Sequence, residues 1–422
     1  MSFRIYSCQE LHYGVCCVFV TMGSPEFNDL GQIFCNAKLE LESIDANSSS
    51  KSIFCGGDAS LSATEAAAGG ACKQQLRSTT REKPRVIVIA GPTSVGKTQL
   101  SIELAKELNG EVINADSVQV YRGLDIGAAK ATMEERQGIP HHLLDMVPAT
   151  VEYTYEEFMR DSRAATEKIL ARGRVPIVVG GTGMYMRYYM HAKPGITSKP
   201  FEDEAKIIGA LAGAGSILVP DCWDYDFQCY FLHKNRTALF RRLDLRCEQQ
   251  IMTLLEETSR LLDAGLVADS NSAARATGYE EAIPFLMEAR AARGFVTEER
   301  LLSMLSLFQH NCRNIARQQI KWYRSKDRSE VQLFHWIDAS QPIEKTIADI
   351  RNEYLRPTTK PSELSKESSD ALKNSSYKEQ KQMRNYEPTQ QIYSCPEACA
   401  QVLKWVMQTQ GGEVVLNAPS MY

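Results

Sequence analysis

The sequence predicts an α/β fold, a parallel sheet flanked by helices, from three adjacent observations. The first is the apolar run Val86-Ile87-Val88-Ile89-Ala90, mostly β-branched, which has the character of a strand buried on both faces. The second follows at once: Gly91-Pro92-Thr93-Ser94-Val95-Gly96-Lys97-Thr98 fits the phosphate-loop pattern GxxxxGK followed by Ser or Thr at every fixed position. The third is the spacing of Leu100, Leu104 and Leu108, four apart, which predicts a helix over 99–108. Strand, glycine loop and helix in this order make the fold P-loop NTPase-like. Gly91 and Gly96 let the backbone turn its N–H groups inward, and the helix N-terminus adds partial positive charge. Lys97 has the reach for a terminal phosphate, and the Thr98 hydroxyl is placed for a magnesium ion. The loop at 91–98 is therefore predicted to hold a diphosphate or triphosphate.

Bulk properties narrow the partners. With 43% apolar and 24% charged residues, the 422-residue chain has the composition of a soluble globular protein. A formal net charge of −4 supplies no global attraction to nucleic acid, so any basic surface must be local. The apolar run at 14–22 has nine residues, too few to span a bilayer, and no membrane partner is expected. Six of the twelve cysteines fall in residues 1–84, and all twelve are taken as reduced thiols because their spacing forms no framework. Residues 1–84 show neither helical nor strand periodicity and are expected to be a disordered extension. Up to Arg85, eight Lys or Arg face nine Asp or Glu, which argues against a transit peptide, so the expected location is cytoplasmic, with a plastid or mitochondrial address as the weaker alternative.

The core is expected over 85–345. A second strand, 111–115, ends at Asp116-Ser117, and ligands of an open parallel sheet lie at the carboxyl ends of its strands. Asp116 is thus placed either beside the phosphate loop or as a helix N-cap, and position alone leaves both open. The pair His141-His142 lacks a Cys or carboxylate at ligand spacing, which favours a hydrogen-bonded structural role. Thr154 with Glu157 marks the start of a helix over 154–171. A third buried strand, 175–179, breaks at Gly180-Gly181-Thr182-Gly183, where the Thr182 hydroxyl and nearby N–H groups could meet an anion. Residues 194–222 are loose, with one short helix over 201–211. A strand over 226–232, a long helix over 237–262 and a turn at 278–280 follow. The run 311–328 carries six Lys or Arg against Asp327, and Arg313, Arg317, Lys321 and Arg324 fall on one helical face. A solvated face and a track for a nucleic-acid backbone both account for that stripe. Residues 346–422, rich in Lys, Ser, Glu, Asn and Gln to about residue 391, are expected to be mostly disordered.

Five motifs in order carry a resemblance: GPTSVGKT at 91–98, DSVQVYRGLDIG at 116–127, PHHLLD at 140–145, VVGGTGMY at 178–185, and the basic run from Arg313 to Arg324. Together they resemble the tRNA dimethylallyltransferase (isopentenyl transferase) family, closest to its plant tRNA-modifying branch, over about residues 85–340. The resemblance implies transfer of a dimethylallyl group from dimethylallyl diphosphate to N6 of the adenine 3′ of the tRNA anticodon, position 37. It implies that Gly91 through Thr98 cradle the diphosphate with magnesium on Thr98, that Asp116 is the general base, and that Thr182 and Arg246 hold the diphosphate. It also implies tRNA contacts from Asp116, Ser117, Val118 and Gln119 and from Arg313, Arg317, Lys321 and Arg324. No protein partner is implied. The chain departs from the family in three places. Residues 194–222 lack the long, arginine-rich helical insertion, Gly127-Ala128-Ala129-Lys130-Ala131 stands where relatives have GTAKP, and Glu280 replaces a basic residue. Alternatives that remain open are an adenylate isopentenyltransferase acting on free nucleotide, a small-molecule kinase, and a catalytically impaired RNA-binding isoform.

Overall fold

The computed structural model describes residues 83–191, 224–325, 328, 330–357, 364–374, 377–388 and 390–411. The N-terminal extension up to residue 82, the stretch 194–222 and its expected helix at 201–211 lie outside these residues. Six parallel strands form the main sheet: β1 (Arg85–Ala90), β2 (Gly110–Asn114), β4 (His141–His142), β6 (Val175–Gly180), β7 (Asp226–His233) and β8 (His335–Asp338). Their spatial order is β4-β2-β6-β1-β7-β8, and β3 (Tyr121–Arg122) pairs separately with β5 (Val147–Pro148).

β1 lies between β6 and β7, with Ile87 opposite Ile177 on one side and Gln228 on the other. Its side chains alternate between two cores: Val86, Val88 and Ala90 face one, Ile87 and Ile89 the other. All five are fully buried, which is why this strand is continuously apolar. The face of Ile87 is covered by α1 (Lys97–Leu108) through Leu100 and Leu104, and by α8 (Ile343–Leu355) through Ile350. On the opposite face lie α3 (Tyr155–Ala171), α4 (Gly183–His191) and a helical layer of α5 (Arg236–Asp263), α6 (Tyr279–Ala291) and α7 (Glu298–Tyr323). Thr154 caps α3 in a box with Glu157, as its sequence predicts, and Thr132 with Glu135 does the same for the short α2 (Met133–Arg136).

The expectation of a mostly disordered segment beyond 345 is corrected by the structure. Besides α8, helices form at α9 (Lys366–Lys373), α10 (Tyr377–Arg384) and α11 (Pro396–Gln410). Composition misled because few of these residues are apolar, yet those few are well placed: Cys399, Val402 and Val406 are buried in the helical core. The polar residues are engaged as well. The buried Glu248 carboxylate on α5 accepts the N–H groups of Gln391, Ile392 and Tyr393 at 2.9, 2.5 and 3.2 Å. Arg290 donates to Gln410 at 2.7 Å, and Ser369 accepts the Trp336 N–H at 2.7 Å. Glu248→Ala should leave those three N–H groups without their acceptor and cost at least about 2 kcal/mol. Urea unfolding would measure the loss, and limited proteolysis should show new cleavage between residues 385 and 395.

Candidate active site

The glycine loop between β1 and α1 forms one wall of a cleft of about 750 Å³ at the carboxyl ends of the strands. Gly96, with φ of 113°, adopts the left-handed conformation that lets the loop enter α1. The first-turn N–H groups of α1 have no helical acceptor and form a ready anion site. Lys97 donates from Nζ to the Gly91 and Pro92 carbonyls, both at 2.9 Å, so its ammonium lies curled over the loop. Burial pushes this amine down to about 8; Asp116 opposes the shift and Arg246 adds to it.

Arg246, from α5, lines the same cleft, and its buried Nε has no hydrogen-bond partner among the described residues. Asp116 follows β2 and also lines the cleft. Its Oδ1 accepts the Val118 N–H at 2.9 Å, so it does cap the turn at 117–120. Oδ2 takes no hydrogen bond among the described residues, so the capping and cleft-facing roles fall on different oxygens of one carboxylate. Thr182 joins the two loops beyond β2 and β6: its Oγ1 accepts the Ser117 N–H at 3.2 Å and donates to Ser117 Oγ at 3.4 Å. Gln119 lines the cleft while its amide donates to the Ala128 carbonyl at 3.0 Å.

A family model described as IPP transferase matches residues 119–212 and 196–326, and one described as Isopentenyl transferase matches residues 84–149. tRNA dimethylallyltransferase 9 of Arabidopsis thaliana is 32% identical to this chain, over 77% of this chain and 86% of that protein. The chain belongs to the tRNA dimethylallyltransferase family. The Arabidopsis relative supports its plant branch. A tRNA dimethylallyltransferase of Protochlamydia amoebophila is 33% identical over 64% of this chain and 88% of its own length. Among solved structures, a tRNA isopentenylpyrophosphate transferase from Bacillus halodurans matches with TM-score 0.52 at 30% identity, over 64% of this chain and 95% of that one. A eukaryotic dimethylallyltransferase described as acting on tRNA matches with TM-score 0.54 at 26% identity, over 68% of this chain and 84% of that one.

Several residues of the family motifs hold the dimethylallyltransferase fold rather than face its cleft. The N–H groups of Asp125, Ile126 and Gly127 all point at the buried carboxylate of Glu257 on α5, at 2.9 to 3.4 Å, and Tyr279 Oη donates to it at 2.5 Å. A Cβ at Gly127 would stand 2.5 Å from the Tyr279 ring, so a glycine is required there. Lys130 is buried and donates to Asp125 at 2.8 Å, Asp145 at 2.6 Å and the Tyr121 carbonyl at 2.6 Å. His142 bonds Glu111 at 2.6 Å, and His141, which unlike the others also lines the cleft, bonds the Ile139 carbonyl at 2.8 Å, the hydrogen-bonded role expected of the pair.

The basic stripe is not one surface, and Arg313 is the correction. Its side chain is buried and ion-paired with the buried Asp244 on α5, because α7 packs that side of the helix against α5. Arg317 and Lys321 are exposed, with Arg317 stacked 5.1 Å over Phe240. Arg324 is half-buried beside Trp336, 5.5 Å from its ring centroid. Sequence reading passed over Gln319, whose Oε1 accepts the Thr93 N–H at 2.8 Å, and Glu257; neither lies in a pattern that announces a partner so distant in the chain.

Three outcomes follow from these positions. Bound diphosphate favours the Lys97 ammonium and raises its pKa, so binding takes up a proton once the pH exceeds about 8. Diphosphate affinity should be full below that value and fall as pH rises, toward about tenfold per unit. Calorimetry across pH in buffers of different ionisation enthalpy checks both slope and proton uptake, and Lys97→Ala should abolish the uptake. Arg313→Ala should leave Asp244 buried without its cation and destabilise the protein by about 3–5 kcal/mol. Lys321→Ala should leave stability unchanged and lower the salt dependence of nucleic-acid binding, as filter binding at several salt concentrations would read.

Proposed function

We propose that this chain transfers the dimethylallyl group of dimethylallyl diphosphate to N6 of the adenine 3′ of the anticodon in tRNA. The observation that carries the reading is the convergence of Lys97, Arg246 and Asp116 on one cleft at the strand ends. In the reaction the allylic C–O bond breaks, the bond from that carbon to N6 forms, and N6 gives up a proton. Charge builds on the departing diphosphate, which Lys97, the loop N–H groups and Arg246, whose Nε has no partner among the described residues, would stabilise. Asp116 accepts the N6 proton on Oδ2 while Oδ1 stays fixed to Val118, so the base is oriented before substrate arrives. Thr182 holds Ser117, and through it the turn that carries Asp116.

Magnesium fits this site as a companion of the diphosphate. Among the described residues no cluster of three His, Cys, Asp or Glu could hold a metal alone, but the exposed Thr98 hydroxyl lies at the cleft and makes no hydrogen bond there. An ion held by Thr98, phosphate oxygens and water matches the coordination that magnesium prefers, and it would neutralise charge on the leaving group.

Exposed Arg317 and Lys321 on α7, with Arg241 and Arg242 exposed on α5, favour a polynucleotide over a free nucleotide as acceptor. Offering AMP, ATP and tRNA in parallel tests this: prenyl transfer should appear on tRNA alone, and transfer to AMP would establish the adenylate reading. Asp116→Asn keeps the turn cap but loses the base, so single-turnover transfer should fall by about 10²–10⁴ with tRNA affinity little changed. A near-normal rate would reduce Asp116 to its capping role.

The two matches to the IPP transferase model meet between residues 196 and 212, in the stretch without the arginine-rich insertion. Fewer phosphate contacts should make tRNA binding weak and less salt-dependent, by about 0.7 to 0.9 in slope per lost contact. Grafting the full insertion of a relative should steepen the slope and raise the rate. Equal slopes and rates would show that the segment is not needed.

A further inference from the structure

Gln319 reaches the phosphate loop from α7, a helix 226 residues further along the chain. Its Oε1 accepts the Thr93 N–H at 2.8 Å. An amide has one accepting and one donating end, so this bond fixes the orientation of the group: oxygen to Thr93, NH₂ to the opposite side. There the amide packs closely against the loop between β6 and α4, where a Cβ at Gly181 would stand 2.3 Å from Nε2 and 3.1 Å from Cδ. Gln319 is half-buried and lines the cleft with Lys97, Arg246 and Asp116. Its Nε2 has no acceptor among the described residues.

We propose that Gln319 is a binding residue for the diphosphate, donating a hydrogen bond from Nε2 to one of its oxygens while Oε1 holds the loop at Thr93. The inference rests on the prenyl-transfer reading only in naming that diphosphate as the leaving group. The contact itself follows from an oriented donor at a phosphate loop. A neutral donor suits this position because burial and Arg246 already push the Lys97 amine down, and a third cation would push it further. With Oε1 held by the Thr93 N–H, Nε2 is oriented before charge grows on the phosphate and needs little reorganisation.

The alternative is that Gln319 only braces Thr93, and two measurements separate the cases. Inorganic diphosphate with magnesium is the probe, titrated into the full chain labelled with ¹⁵N-glutamine. The side-chain NH₂ signal of Gln319, assigned by its loss in Gln319→Met, should shift downfield on addition of diphosphate. The Gln319→Met variant should bind diphosphate about 10- to 100-fold more weakly, the usual worth of a hydrogen bond to a charged group. An NH₂ signal that does not move, or wild-type affinity in Gln319→Met, would overturn the proposal. If Gln319→Met does not fold, Gly181→Ala displaces the same amide and is measured in the same way, with the signal still present to follow. A wild-type chain that binds diphosphate but prenylates no tRNA would overturn the functional reading and leave this contact standing.

Discussion

The site depends on how closely three strands end beside one another. The Ala115 N–H bonds the Val179 carbonyl at 2.8 Å, just past β2, and a Cβ on Gly180 would stand 2.0 Å from the Ala115 carbonyl oxygen. At Gly91 a Cβ would come within 2.8 Å of the Leu232 carbonyl. No other residue type fits between such backbones. Because β1, β2 and β6 finish at one level, the residues immediately past them become neighbours: the phosphate loop, Asp116 and the Gly180–Gly183 turn. Parallel pairing supplies the common direction, and the glycines supply the closeness.

A second requirement is to seat the helical layer on that sheet edge, and buried carboxylates do it. Glu257 collects the N–H groups of residues 125–127, Asp244 takes Arg313 and Tyr386, and Glu248 takes the N–H groups of 391–393. Each is a charge removed from water that is tolerated because several donors converge on it. Removing one donor set would leave the charge stranded. The helix that carries Arg246 is therefore fixed along most of its length by polar contacts as well as by packing.

The phosphate loop, its flanking strand and helix, Asp116 and the strand before Thr182 were legible in the sequence, because each is a local pattern. The parts that were not legible depend on partners far along the chain. Nothing near Arg313 distinguishes it from Arg317 on the same helical stripe; the difference is Asp244, 69 residues earlier. The polar composition beyond residue 345 resembles that of unfolded chains, and it folds because a few buried side chains and one carboxylate, 143 residues from Gln391, receive it. Gln319 looks like any polar residue in an amphipathic helix until the loop it touches is known.

The Glu248 contact also has a consequence for the order in which the molecule is completed. A ribosome makes α5 long before it makes residues 391–393, which bond that helix across a separation of 143 to 145 residues. Until those residues emerge, a helix carrying the cleft arginine holds the buried acid Glu248 with nothing to receive. Asp244 waits in the same way for the Tyr386 hydroxyl. The sheet and phosphate loop can form early, whereas the wall bearing Arg246 closes only once residues 386–393 have been synthesised. A nascent chain is therefore able to recognise phosphate before its opposite wall is set, and termination before residue 386 would leave that half-built state as the end product.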